Sequence, residues 1–273
     1  MAKLYVVGTP IGNLSDFSPR AIETLTNVDF IAAEDTRVTL KLLTHFGIQK
    51  PLVSYYEHNI REKGEYILGR IENGESCAIV TDAGMPCISD PGEDLVRLCA
   101  ERGIEINVVP SPTAAMSALA ISGLPTSRFS FEGFLSVTKK QRQAHLDEVK
   151  DFKRTLIFYE APHKLLNTLK DMLEAFGDRR IALCRELTKI HEEVIRGKIS
   201  EMVSYYEEKA PKGEFVLIIE GKTEEEVSEK ITLEEAAAMA KALVEDGMKL
   251  SAAAKEIASK TDFSKSEIYN ALI

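Results

Sequence analysis

Residues 77–103 read CAIVTDAGMPCISDPGEDLVRLCAERG, and the three parts of this stretch decide the architecture. CAIV is a short, wholly apolar run, the form of a strand buried on both faces. GEDLVRLCAERG has helical period and ends on Gly103, as helix C-termini often do. Between them stand Asp82, Gly84, Pro86, Asp90, Pro91 and Gly92, so one strand end collects rigid, permissive and acidic residues together. Strand, long irregular loop, helix: this is one unit of a parallel α/β sheet.

The same rhythm runs outward from it in both directions. KLYVVG, DFIAAE, PLVSYY and IEINVVP read as further strands, and SPRAIETLTNV, TLKLLTHFGI, EKGEYILGRIENG and TAAMSALAISG as the helices that follow them. That gives five strand–helix units in residues 1–123 and predicts a parallel sheet with helices on its faces. From RFSFEGFL onward the rhythm changes. RTLIFYE and RRIALCREL flank the helix HKLLNTLKDMLEAFG, and HEEVIRGKI and GEFVLIIEG flank EMVSYYEEK. Strands that close together and carry that much charge predict a mixed sheet. The expected boundary lies near Gly123–Pro125, giving an N-terminal α/β domain over 1–123, a second over 124–221 and a helical, helix-turn-helix-like extension over 222–273. In that extension Thr232 with Glu235, and Ser264 with Glu267, have capping-box spacing.

Composition excludes several classes. The 273 residues are 44% apolar and 28% charged, and no apolar run approaches the length of a membrane span. MAKLYVVGTPIG enters a strand directly, without the apolar core of a signal peptide, and Cys77, Cys87, Cys99 and Cys184 show no CxxC spacing. Both features predict a cytoplasmic protein with reduced thiols. A net charge of −9 argues against nonspecific nucleic-acid binding, yet much of the acid lies in TEEEVSEKITLEE, so a local basic face stays open.

Chemistry is expected where parallel strands end. Here those ends are GTPIGN, AEDTR, YYEHN, TDAGMPCISDPG and PSPTAA. GTPIGN is neither a phosphate loop of the Walker type nor GxGxxG, and each segment alone is an ordinary turn or solvated cluster. Five such segments at consecutive strand ends point to one pocket, with glycine and proline letting backbone amides approach a ligand.

GTPIGNLSDFSPRA, EDTR, DAGMPCISDPG, FYEAPHK and RELTKIHEE, in this order and spacing, resemble the bacterial ribosomal RNA small subunit methyltransferase I family of the tetrapyrrole methylase superfamily. The resemblance covers residues 3–221, and the tail is similar to that family's extension. It departs at PSPTAA, where the family more often has PGPSA; Ser111 replaces a glycine while Thr113 keeps the hydroxyl type. The resemblance implies S-adenosylmethionine-dependent 2′-O-methylation of a cytidine in the decoding centre of 16S rRNA, by a homodimer of two-domain subunits without a metal. It implies a donor lying against Pro10, Asp82, Gly84, Met85, Pro86, Ile88, Ser89, Thr113, Ala114, Tyr159 and Glu160.

Transfer of a methyl group to a ribose hydroxyl needs in-line positioning and an acceptor for the hydroxyl proton. Candidates are Glu34, Asp35, Asp82, Glu160 and Glu186, with His58 and His163; Asp35 or Glu34 is the expected acceptor, and Arg37 and Arg185 the expected grip on RNA phosphate. His163 equally suits a helix-start packing role. Lys189 and His191 are expected at the rim, and Lys139, Lys140 and Arg142 suit an RNA patch or a plain solvated helix face. Two other readings remain: a porphyrinoid C-methyltransferase, which calls for a large apolar trough, and an RNA-binding protein without catalysis that relies on the helical tail.

Overall fold

In a computed structural model the chain builds two five-stranded sheets followed by a small helical unit. The structure describes residues 2–223, 233–245, 247–259, 261 and 263–272. The fold class read from the sequence is the one found: a parallel sheet, a mixed sheet, then C-terminal helices.

The first sheet has the order β3-β2-β4-β1-β5, all parallel, with β1 at Leu4–Val7, β2 at Phe30–Ala33, β3 at Leu52–Ser54, β4 at Cys77–Val80 and β5 at Ile106–Val109. FIAA and CAIV are buried at every position because helices cover both faces. On one face α1 (Pro19–Asn27) and α2 (Thr36–His45) bring Ala21, Leu25 and Leu43 against Val7, Ile31 and Val80. On the other, α3 (Ile60–Glu72) and α4 (Glu93–Glu101) bring Ile67, Leu68, Leu95 and Cys99 against Leu4, Phe30 and Ile79. Ser18 caps α1, its hydroxyl accepting from Ala21 N, with Pro19 at the first helical position, where its fixed φ fits and no N–H is wasted.

The fifth helix does not follow its siblings. Helix α5 (Ala114–Ile121) packs Ala115, Ala118 and Leu119 on Ile157, Ala182, Val216 and Ile218, which belong to the second sheet. Four helices cover the parallel sheet where five were expected. AAMSALAI has small or apolar residues on nearly every side, so it has no polar face to turn to water and fits a sandwiched position.

The second sheet has the order β6-β7-β10-β8-β9, with β6 at Phe129–Phe134, β7 at Thr155–Glu160, β8 at Arg180–Arg185, β9 at Glu193–Lys198 and β10 at Phe215–Ile219. β6 and β7 are parallel and the remaining pairs antiparallel. Its outer face carries α6 (Lys139–Val149), α7 (Pro162–Phe176) and α8 (Ile199–Glu208), which bury Leu146, Leu165, Leu169, Met172 and Met202. At roughly 1.5–3 kcal/mol for each fully buried large apolar side chain, this layer and its inner counterpart dominate the stability of the second half.

The helical unit comprises α9 (Leu233–Glu245), α10 (Leu250–Ala258) and α11 (Lys265–Ala271) around Ala236, Ala240, Ala253, Ala254, Ile257 and Ile268. Its contacts divide from those of the preceding chain between Gly221 and Lys222. Ser264 and Glu267 form the reciprocal capping box read from their spacing; Thr232, half of the other expected box, lies outside the described residues. Among the described residues no helix is long and apolar enough to cross a membrane, and all four cysteines are free thiols.

Candidate active site

Adjacent strands β1 and β4 send their following helices to opposite faces of the parallel sheet, which opens a crevice at their carboxyl ends. Backbone hydrogen bonds stitch its floor. Thr9 N donates to Gly84 O (2.9 Å) and Gly84 N to Thr9 O (3.1 Å), while the Thr9 hydroxyl donates to Thr81 O (3.1 Å) and the Ser111 hydroxyl to Thr9 O (2.9 Å). Three strand ends are thereby held in register. Gly84 has φ +85°, which only glycine adopts without cost, and a Cβ on Gly8 would collide with Ser111 Cβ and lie 2.6 Å from Met85 Sδ. Ser111, the departure from the family pattern, therefore fills space beside Gly8 and secures Thr9. Cys87, at φ +70°, is one of three non-glycine residues in the left-handed region among the described residues; the others, Glu186 and Thr188, sit across the crevice. A β-branched residue such as Thr188 at φ +67° carries real strain, and strain of this kind collects where a loop must hold a set shape.

Above this floor lies a cleft of about 740 Å³, its walls drawn from both sheets. One wall is acidic. Glu34, Asp82 and Asp90 all face the cleft, and the Thr81 hydroxyl donates to Glu34 Oε2 (2.6 Å). Partial burial, then the Glu34 charge, pushes the Asp90 carboxyl up to about 6, against the opposing influence of the nearby Thr81 hydroxyl. Burial and Glu34 likewise raise Asp82, whose Oδ1 accepts from Asp35 N (3.3 Å). The opposite wall is aromatic. Tyr159 is flanked by Phe131 and Phe134, with ring centroids 5.0 and 5.4 Å away, and its hydroxyl accepts from Ala115 N (3.1 Å) at the start of α5. Burial raises the Tyr159 phenol, so it is neutral at ordinary pH. The third side is the Glu186–Lys189 turn, where Lys189 Nζ donates to Glu186 Oε1 (2.9 Å) and Glu214 Oε2 (2.8 Å). Burial pulls Lys189 down, but the two carboxylates outweigh it and the net shift is upward. Gly12 lets the first-strand loop rest on this turn: a Cβ there would lie 2.5 Å from Lys189 Cγ and 2.8 Å from Thr188 Oγ1.

Of the residues expected in the site, Glu34, Asp82, Gly84, Met85, Ile88, Ser89, Thr113, Ala114, Tyr159, Glu160 and Glu186 line the cleft. Pro10 and Pro86 do not; both are buried beneath the floor and shape the turns rather than the wall. Asp35 and Arg37 also lie off it. Asp35 caps α2, accepting from Arg37 N (2.8 Å), and its Oδ2 meets Arg37 Nη2 at 2.6 Å, so the guanidinium holds its carboxyl down at about 2. Arg185 turns to Glu193 (3.0 Å) and the carbonyls of Lys212 and His191, and His163 is an exposed residue of the first turn of α7. Glu160 reaches the cleft, but its carboxylate is spent: Oε1 accepts from Ala161 N (2.8 Å) and Oε2 from the Thr168 hydroxyl (2.6 Å). Arg142, read as part of a basic patch, is a half-buried tether whose Nε lies 2.6 Å from Asp171 Oδ2.

Asp90, Phe131 and Phe134 are wall residues that sequence reasoning passed over. Asp90 had a signal, its place eight residues after Asp82 in the same loop; SDPG simply reads as a turn. Phe131 and Phe134 read as strand residues, and nothing in RFSFEGFL says which face they take. Among the described residues no group of three or more potential ligands is placed to hold a metal ion.

The chain matches the family model described as Tetrapyrrole (Corrin/Porphyrin) Methylases over residues 3–203. It is 50% identical over 222 residues to a protein from Thermotoga maritima named ribosomal RNA small subunit methyltransferase I, a match covering 81% of this chain and 100% of that one. A protein of the same name from Synechocystis is 45% identical, covering 98% of this chain and 96% of its own. Among solved structures, a diphthine synthase superposes with TM-score 0.62 at 13% identity, covering 82% of this chain and 91% of that one. A uroporphyrin-III C-methyltransferase from Thermus thermophilus superposes at 0.57 and 19%, covering 81% and 94%. Likeness at that identity is a likeness of fold.

Proposed function

The chain belongs to the tetrapyrrole methylases and, within them, to the ribosomal RNA small subunit methyltransferase I family, and from that premise we propose that it transfers a methyl group from S-adenosylmethionine to the 2′-hydroxyl of a cytidine in the decoding centre of 16S rRNA. The reading includes a cytoplasmic homodimer acting on the small ribosomal subunit. The observation that carries it is the acidic wall above a stitched backbone floor. The donor supplies an electrophilic methyl on a sulfonium and carries a second cation, its ammonium. Glu34, Asp82 and Asp90 supply the opposite charge in a partly dehydrated cleft, where such pairing is stronger than in water. The Gly84–Met85 turn and the start of α5 line the cleft where the donor would lie, and the ring of Tyr159 would close the side towards the second sheet.

Glu34 is the proposed acceptor for the hydroxyl proton. Its carboxylate faces the cleft, whereas that of Asp35 is capped, paired with Arg37 and held at about 2, a poor proton acceptor near neutrality. In single-turnover transfer from labelled donor to small ribosomal subunits, Glu34→Ala is expected to slow the step about a hundredfold, in the range for loss of a general base. Asp35→Ala and Glu160→Ala are expected to retain near-normal rates per folded molecule. Label confined to one decoding-centre ribose supports the reading. Label on porphyrinoid carbon would install the first rival, and RNA binding without donor uptake the second.

A further inference from the structure

β6 contains an irregularity. Its register against β7 pairs Phe131 with Ile157, then Gly133 with Phe158 and Phe134 with Tyr159, so Glu132 is the extra residue of a β-bulge and Gly133 takes φ +65°. Strict alternation would put Phe131 and Phe134 on opposite faces. The bulge puts both on the cleft face, either side of Tyr159. The displaced Glu132 carboxylate does not reach water freely: it is 12% exposed, and Oε2 lies 3.1 Å from Nε2 of His145 on α6. The His145 ring in turn leans on Phe158, centroids 6.1 Å apart. A half-buried hydrogen-bonding contact behind the strand thus braces the bulge that aims a ring into the cleft.

That ring is only partly used by the protein. Phe134 is 58% exposed, on the edge strand of its sheet, while Phe131 and Tyr159 pack into the inner core. We infer that Phe134, aimed by the Glu132–His145 brace, is the seat on which an unstacked nucleobase of the acceptor strand lies while its ribose faces the donor. Aromatic rings hold unpaired bases by stacking, and every base offers the matching face. Charge favours a polynucleotide over an apolar partner. Five and six residues beyond Phe134, Lys139 and Lys140 stand exposed at the start of α6, suited to the phosphates that flank such a base. Glu132 and His145 are positioning residues, acting through Phe134.

The inference rests on the acceptor being RNA, as proposed above, and its test is chosen to separate the two. Full-length protein is mixed with a single-stranded oligoribonucleotide carrying one fluorescent cytidine analogue, with and without donor, and methyl transfer to small ribosomal subunits is followed in parallel. Phe134→Ala is expected to abolish the stacking-induced fluorescence change and to raise the KM for RNA about tenfold to hundredfold, the equivalent of one lost base stack. Calorimetric donor affinity should stay within about twofold of wild type and kcat should change less than KM. Phe134→Tyr restores the signal and Phe134→Leu does not. Glu132→Ala and His145→Ala should each give a smaller rise in KM at unchanged kcat, and Glu132→Gln, which can still hydrogen-bond His145, should recover most of it. An unchanged KM and fluorescence response in Phe134→Ala overturns the inference. So does a loss of donor affinity, which would give the ring to the donor, or a changed sedimentation coefficient, which would give it to a second copy of the chain. If wild type transfers no methyl group, the functional reading has failed, and the fluorescence arm still decides whether a base stacks on Phe134.

Discussion

The two long walls of the cleft are built on opposite plans. The wall from the parallel sheet is made of loops beyond strand ends, and it holds its shape by backbone hydrogen bonds around Thr9 and Gly84 and presents carboxylates. The wall from the mixed sheet is made of strand residues themselves, Phe131, Phe134 and Tyr159, and presents rings. The first plan suits a small cationic ligand, because fixed dipoles and negative charge lose little on reorganising around it. The second suits a flat, neutral surface that arrives and leaves. Under the proposed function the donor's charged groups belong to the first wall and the acceptor base to Phe134 on the second, with Tyr159 between them, and each variant below tests that division.

The largest effect is expected where the acidic wall is anchored. Gly8 lies against Ser111 and Met85 with no room for a methyl group, and Ser111 N is only 3.1 Å from where a Cβ would stand. Gly8→Ala must push the β5 loop off Thr9, and overpacking of this kind costs about 1–3 kcal/mol. Donor affinity by calorimetry should fall at least about tenfold, while binding of the oligoribonucleotide falls far less. Equal losses of both ligands would break the division of labour.

Next comes Asp90. Its carboxyl is raised to about 6, chiefly by burial and then by Glu34, and a bound cation would draw the proton off. Donor affinity should therefore rise between pH 5 and 7 and level off above that. In the donor-free protein the sign is reversed. A carboxyl that titrates higher folded than unfolded costs stability once ionised, so stability should decline as pH climbs from about 4 through about 6. Asp90→Asn should flatten both curves, raise the donor-free melting temperature near neutrality and weaken donor binding about tenfold, the range for a lost charge-assisted contact. S-adenosylhomocysteine, without the sulfonium, should lose less. A donor affinity independent of pH in wild type would remove Asp90 from the cation site.

Glu160 offers a smaller effect of a different kind. It is 2% exposed, and removing it leaves the Thr168 hydroxyl and Ala161 N–H without their partner. Glu160→Ala should lower folding stability in urea melts by about 1–3 kcal/mol, with kcat per folded molecule nearly intact. A selective loss of kcat at unchanged stability would return Glu160 to the chemistry.

These residues also mark how far the sequence could be read. The βα unit at residues 77–103 was legible because apolar CAIV and its glycine- and proline-rich exit admit few structures, and the strand ends were legible as a rim because topology puts them there. Which carboxylate turns inward was not. Asp35 and Asp90 look alike in sequence, and the choice is made by Arg37, two residues from one, and by the burial around the other. The docking of α5 on the second sheet was hidden for a related reason: AAMSALAI specifies a helix but, being apolar almost all round, names no partner face. Phe134 was hidden by one inserted residue, since a bulge inverts the facing of everything after it.

The smallest effect, and the sharpest test of where RNA lies, concerns the Asp35–Arg37 pair outside the acidic wall. Arg37 is 86% exposed and its fork is occupied by Asp35, so a phosphate must compete for it. Arg37→Ala should leave the melting temperature and donor affinity unchanged, weaken RNA binding a few-fold and reduce the slope of log affinity against log salt by about 1. Asp35→Asn should do the opposite. The amide oxygen can still accept the Arg37 N–H that caps α2, while the guanidinium is freed and one repelling charge is gone. RNA affinity should rise about twofold at low salt and converge with wild type at high salt. If both variants weaken RNA binding, the pair acts as a unit and its geometry, rather than free positive charge, is what the acceptor strand meets at that edge.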